Sequence, residues 1–246
     1  MEILKRNSKQ EDPSLLDELA QKDFSRRKFL RFSSLVGASA LVIGGSTLAG
    51  CSKDDDGTTD GVNLGSGDTG VLNYAYALEQ LEAAFYTQVM ATPFSGMTTL
   101  ESEYLKDIRD HEIAHREFFK AALGSNAIQG LEVDFSSINF GSRDSVLATA
   151  KAFEDLGVAA YNGAGKLLTS TDYLTLAGKI VSVEARHAAL IRDLISNGSF
   201  SDLTSLAPLG SNNTNGLDGA LNPPDVLAIA STYVKTKINA SNLPTA

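Results

Sequence analysis

From residue 71 onward, apolar and polar residues alternate with helical period. Apolar or aromatic side chains recur at 72, 76, 83, 86 and 90, then at 104, 108, 119 and 122, then at 147, 150, 158, 161 and 168, and last at 176, 180, 191 and 194. Spacings of three, four, seven, eight and eleven put each series on one helix face, so four amphipathic helices are predicted. Each face is broken near its middle by ionisable residues: Glu79 in the first, Glu112 and His115 in the second, Glu154 in the third, Glu184 and His187 in the fourth. An unpaired charge on a core face costs on the order of several kcal/mol. These side chains therefore require a common partner inside the core.

The helix ends carry matching signals. Thr98 with Glu101 three residues on makes a capping box, and "GSRDS" and "TSTD" supply capping residues for the third and fourth helices. A short turn containing Pro and Gly joins the first pair and a few residues join the second, so each pair is expected to be an antiparallel hairpin. Between the pairs, "GSNAIQGLEVDFSSINFGSR" is long enough to cross a bundle when extended. The hairpins also repeat one another. "LEQLEAAFY" (78–86) aligns with "FEDLGVAAY" (153–161), and "IRDHEIAH" (108–115) with "IVSVEARH" (180–187), so that the Glu and His positions coincide.

Composition narrows the chemistry. The chain has 246 residues, 43% of them hydrophobic, enough for one substantial domain with appendages. Its single cysteine excludes an intramolecular disulfide or a Cys-rich metal site, which leaves His and carboxylates as metal ligands. Residues 24–31, "FSRRKFLR", followed by the apolar run 34–49 and by Leu48-Ala49-Gly50-Cys51, resemble a twin-arginine export signal ending in a lipoprotein box. That reading makes 1–51 a signal peptide and Cys51 the lipidated first residue of the mature protein. It places the protein outside the cytoplasm, anchored to the membrane on the periplasmic face or the cell surface. Residues 1–51 carry 8 Lys and Arg against 6 Asp and Glu, whereas residues 52–246 carry 13 against 24. So acidic a mature chain has no basic patch for phosphates, and no nucleic-acid partner is expected. Residues 52–70, rich in Gly, Ser, Asp and Thr, are expected to form a flexible tether.

The constellation Glu79, Glu112-x-x-His115, Glu154, Glu184-x-x-His187 resembles the di-iron carboxylate signature of the ferritin-like superfamily. The lettering "YALEQLEAAFY", "FEDLGVAAY" and "VEARHAA" is most similar to bacterial ferritin-like-domain proteins related to the desiccation-associated group. The resemblance covers about residues 71–196. It implies an all-α, ferritin-like four-helix bundle holding two metal ions bridged by Glu112 and Glu184, with Glu79 and Glu154 as terminal carboxylates and His115 and His187 on one metal each. Independently, Glu and His at i and i+3 share a helix face, and a set of four carboxylates and two imidazoles suits Fe or Mn better than zinc alone.

Another pattern overlaps the first. His111-Glu112-Ile113-Ala114-His115 spells HExxH, the zinc-peptidase motif. Its metzincin extension fails, with Phe118 where Gly belongs and Ala121 where the third His belongs, and the repeat has Val183 in place of His111. His111 is read as incidental or as a neighbour of the ligands, and a zinc protease is not expected. Tyr86 and Tyr161, two turns after Glu79 and Glu154, are candidates to hydrogen-bond ligand carboxylates or to act as radical sinks, with core packing as the alternative. Glu82, beside the inner stripe of the first helix, is a candidate extra ligand or metal-entry carboxylate, but its repeat counterpart is Gly157 and a solvated surface residue is the preferred reading. Gly157 and Gly163 are expected to allow close helix packing. Residues 197–246 are expected to be a packing extension with one helix from "PPDVLAIASTYVKTKIN". The functional expectation is an exported dinuclear Fe or Mn protein that oxidises Fe(II) or consumes H2O2 or O2. The alternative is a non-catalytic envelope scaffold, and the oligomeric state is left open, a dimer included.

Overall fold

The computed structural model describes residues 61–245. The expected signal peptide, the lipidation site Cys51 and the tether up to residue 60 lie outside the described residues. Four long helices dominate: α1 (Gly67–Ala91), α2 (Thr99–Leu123), α3 (Arg143–Gly165) and α4 (Thr171–Ile195). α1 packs along α2 and α3 along α4, and α1 meets α3 across the bundle. The predicted all-α bundle of two hairpins with one long crossover is the observed architecture.

Local chemistry sets the helix starts. Thr98 Oγ1 accepts from Glu101 N at 3.2 Å and Thr98 N donates to Glu101 Oε2 at 2.9 Å, closing the capping box. Ser142 and Ser170 cap α3 and α4 by accepting from the Ser145 and Tyr173 amides. The carboxylate of Asp68 accepts from the Thr169 and Ser170 amides at 2.7 and 2.9 Å, tying the start of α1 to the turn between α3 and α4. At the opposite end, Arg143 donates to Glu101 Oε1 at 2.6 Å and to the Leu194 carbonyl, joining the starts of α2 and α3 to the end of α4.

The four helices are not equally amphipathic. α2 and α4 bury one stripe and expose the other side, as their pattern predicts, whereas α1 and α3 are covered on nearly every side. The crossover covers α1: Asn73 donates to the Leu64 and Asn126 carbonyls and accepts from Ile128 N, and Gln80 accepts from Leu131 N at 2.9 Å. The C-terminal segment covers α3, where Leu221 N donates to the Ala159 carbonyl. This explains why α1 and α3 contain long runs without charge.

Three expectations are corrected. Described residues at the end of the expected tether are structured: β1 (Val62–Asn63) pairs in parallel with β2 (Ile238–Asn239), and α1 begins at Gly67 rather than 71. The backbone groups of β1 find ladder partners 176 positions away, where no local pattern could show them. The C-terminal helix, α5, spans only Pro223–Ala230. Beyond it the chain pairs with the crossover instead, because Asp134 N donates to the Tyr233 carbonyl, Val234 bridges Val133, and the Tyr233 ring meets Phe153 edge-on at 4.8 Å. Gly163 serves a close approach, but the partner is backbone and not a helix. A Cβ there would lie 1.8 Å from the Leu221 carbonyl oxygen.

Candidate metal centre

The six ligand candidates converge at mid-height of the bundle. Glu79, Glu112, Glu154 and Glu184 are each 0% exposed and His187 is 4% exposed. Their ligand atoms form two groups in which all members lie within 4.8 Å of one another: Glu79, Glu112, His115 and Glu184, and then Glu112, Glu154, Glu184 and His187. Glu112 and Glu184 belong to both groups. Each group could hold a metal ion.

Separation and alignment together show what this cluster is suited to. His115 Nδ1 lies 2.9 Å from Glu184, 3.4 Å from Glu112 and 3.5 Å from Glu79, and His187 Nδ1 lies 2.8 Å from Glu112 and 3.4 Å from Glu154. One ring N–H cannot serve three carboxylates, and these contacts lack hydrogen-bond alignment. Glu79 Oε2, both oxygens of Glu112 and Glu184, Glu154 Oε2, and the Nδ1 atoms of both histidines are buried without a hydrogen-bond partner. Buried polar atoms are almost always paired. Eight such atoms gathered in one interior are a donor set that could hold metal ions, so the residues fit bound metal.

The remaining oxygens of the outer glutamates are occupied. Tyr161 OH donates to Glu79 Oε1 and Tyr86 OH donates to Glu154 Oε1. Each tyrosine thus holds the carboxylate of the other hairpin, and the phenols bury their rings while donating, so bonding and packing coexist.

Electrostatics follow from this crowding. Burial, reinforced by neighbouring carboxylates, pushes Glu79 and Glu82 well above the usual carboxylate range and Glu154 up to about 8. Burial acts in the same direction on Glu112, but the imidazoles of His115 and His187 outweigh it and hold Glu112 at about 2. Burial would lower both imidazoles, yet the facing carboxylates drive each to about 12. Without a metal, this crowding favours protons on both the histidines and the outer glutamates.

Glu82 corrects the sequence reading: it is 4% exposed, in the interior between α1 and α3. Gly157 opposite makes the room, since a Cβ there would meet Glu82 Oε1 at 3.0 Å. The Glu/Gly pairing across the repeat was the signal available beforehand. The sequence reading also missed the buried ion pair in which Arg192 donates to both oxygens of Asp155 at 2.9 and 2.7 Å while reaching Ser205 in the C-terminal segment. His111 is not incidental. Its Nδ1 lies 2.9 Å from His187 Nε2.

A four-helix bundle with one long crossover, carrying Glu and Glu-x-x-His on both hairpins, defines the class of ferritin-like carboxylate proteins. Residues 67–197, just over half of the chain, match the ferritin-like domain family, and the chain belongs to it. No curated protein matches the chain.

Proposed function

We propose that this protein holds two Fe or Mn ions between its four helices and uses them in redox chemistry on Fe(II), O2 or H2O2. The observation that carries this reading is the set of eight buried, convergent oxygen and nitrogen atoms without hydrogen-bond partners. Glu112 and Glu184 offer both oxygens and belong to both groups, which suits them to bridge. Glu79 and Glu154 each keep one oxygen for a metal because Tyr161 and Tyr86 occupy the other, so the tyrosines act as positioning residues. His115 and His187 supply one nitrogen to each ion. When bound, such a pair supplies coupled one-electron oxidations, the chemistry that the protein itself lacks. The sheath of the crossover and C-terminal segment around α1 and α3 limits water at the carboxylates and keeps them in place.

The N-terminal sequence supports export and lipid anchoring at Cys51 as part of the same proposal, with a role in protecting the cell envelope from oxidants. The test is anaerobic loading with Fe(II) or Mn(II) and metal analysis of the unaltered chain and of a Glu112→Ala/Glu184→Ala variant. About two ions per chain, lost in the double variant, is expected. A chain that stays metal-free after loading overturns the proposal. Optical change on adding O2 or H2O2 to the loaded protein supports turnover, and bound metal that neither oxidant affects makes the bundle a scaffold with structural metal.

A further inference from the structure

The two groups share their bridging glutamates but differ behind their histidines. His187, on α4, faces the carboxylates with Nδ1 and presents Nε2 to His111 Nδ1 on α2, 2.9 Å away. The ring centres are 5.1 Å apart and the planes differ by 13°. Rings so close at nitrogen and so far apart at centre lie edge to edge, in line for an N–H···N bond, rather than face to face. His187 is buried, whereas His111 is exposed and meets the centre at His187 Nε2. In the other half, Val183 stands at the repeat position of His111, with neither donor nor acceptor to offer His115.

We propose that His111 is a positioning residue that fixes His187 as a ligand and makes the His187 half of the centre the tighter of two unequal metal sites. This rests on the two-metal reading above. An imidazole that binds a metal through Nδ1 must carry its proton on Nε2, and it binds best when that N–H has an acceptor that sets both tautomer and ring direction. His111 Nδ1 is that acceptor, which puts the His111 proton on its own Nε2. The bond also restricts rotation of the His187 ring, so less freedom is lost when a metal arrives. His115 has no such acceptor in its repeat counterpart, so its half pays for orientation at binding.

The experiment is a Co(II) titration of the full chain, following the visible ligand-field bands and bound metal by elemental analysis. The chains compared are the unaltered protein, His111→Leu and His111→Asn. Asn places an acceptor oxygen near the former Nδ1 position, and Leu places none. The unaltered chain is expected to fill two sites in separate steps. His111→Leu should weaken the first step by about 10- to 100-fold and leave the second unchanged, the usual range for losing a ligand's outer partner. His111→Asn should restore most of that loss and the ligand-field bands. Matched helicity and melting of the three metal-free chains separate this effect from misfolding, and His111 is exposed enough to expect them. Unchanged affinities in His111→Leu, equal loss in Asn and Leu, or equal weakening of both steps would overturn the inference while leaving the two-metal reading intact. Failure of the unaltered chain to take up Co(II) would overturn that reading and this inference with it.

Discussion

The two hairpins place the same ligand candidates in the same order, yet almost everything supporting them differs between the two. Behind His187 stands His111, and at the equivalent place for His115 stands Val183. Beside Glu79 and one turn further on α1 is the buried carboxylate of Glu82, whereas α3 has Gly157. Next to Glu79 comes Gln80, which holds the crossover, and next to Glu154 comes Asp155, which holds Arg192. Only the crossed tyrosines are truly paired. A duplicated helix pair therefore specifies where donor atoms go, and unequal neighbours decide how firmly each is held.

The sharpest break in that equivalence lies at the position after the ligand glutamate. Arg192→Leu leaves Asp155 5% exposed with only Lys151 as a partner, and unfolding in denaturant should show a loss of about 3 kcal/mol. Gln80→Ala, at the same place in the other hairpin, should remove about 1 kcal/mol, since it takes away a neutral hydrogen bond at a half-buried site. Equal losses would mean that the ion pair anchors nothing that Gln80 does not.

The tyrosines test what the halves share. Tyr86→Phe and Tyr161→Phe each remove one donor from a buried carboxyl, and each should lower the melting temperature by the equivalent of about 1 kcal/mol. A clear difference between the two variants would show that the repeat does not extend to this pair.

Acidity gives the most diagnostic effect. Glu79, Glu82 and Glu154 keep their protons above the ordinary 4.5, so the unfolded chain releases them first and stability falls as pH rises from that value. His115 and His187, raised from 6.5 to about 12, add stability that is complete below 6.5 and is lost as pH rises toward 12. Glu112, lowered to about 2, adds stability that is present above 4.5 and is lost as pH falls toward 2. The metal-stripped protein should thus melt highest near pH 4.5 and progressively lower above it. Glu82→Gln removes one of the raised groups and should flatten the alkaline fall. Bound metal would reverse the trend, because its ligands must be deprotonated and affinity rises with pH. A metal-stripped chain that gains stability from pH 6 to pH 9 would contradict this account of the centre.

Much of this was legible in the linear chain because it rests on periodic positions. The helix faces, the capping box and the Glu and His interruptions are local patterns of three and four residues, and a duplicated pattern makes each of them count twice. Glu82 was misread for a physical reason. Its place beside the inner stripe of α1 does not say whether solvent or another helix lies there, and Gly157 decides that from 75 positions away. The early stop of α5 has the same origin, since pairing with the crossover outweighs the helical pattern beyond Ala230.

By itself, then, the sequence determined the class of fold and the six residues able to meet a metal, because backbone periodicity and side-chain type are properties of the chain. Only the tertiary structure decided that Tyr86 and Tyr161 exchange partners, that Arg192 is locked to Asp155, and that His111 backs one histidine and not the other. Those contacts join residues 37 to 82 positions apart, and their geometry exists only once separate helices pack.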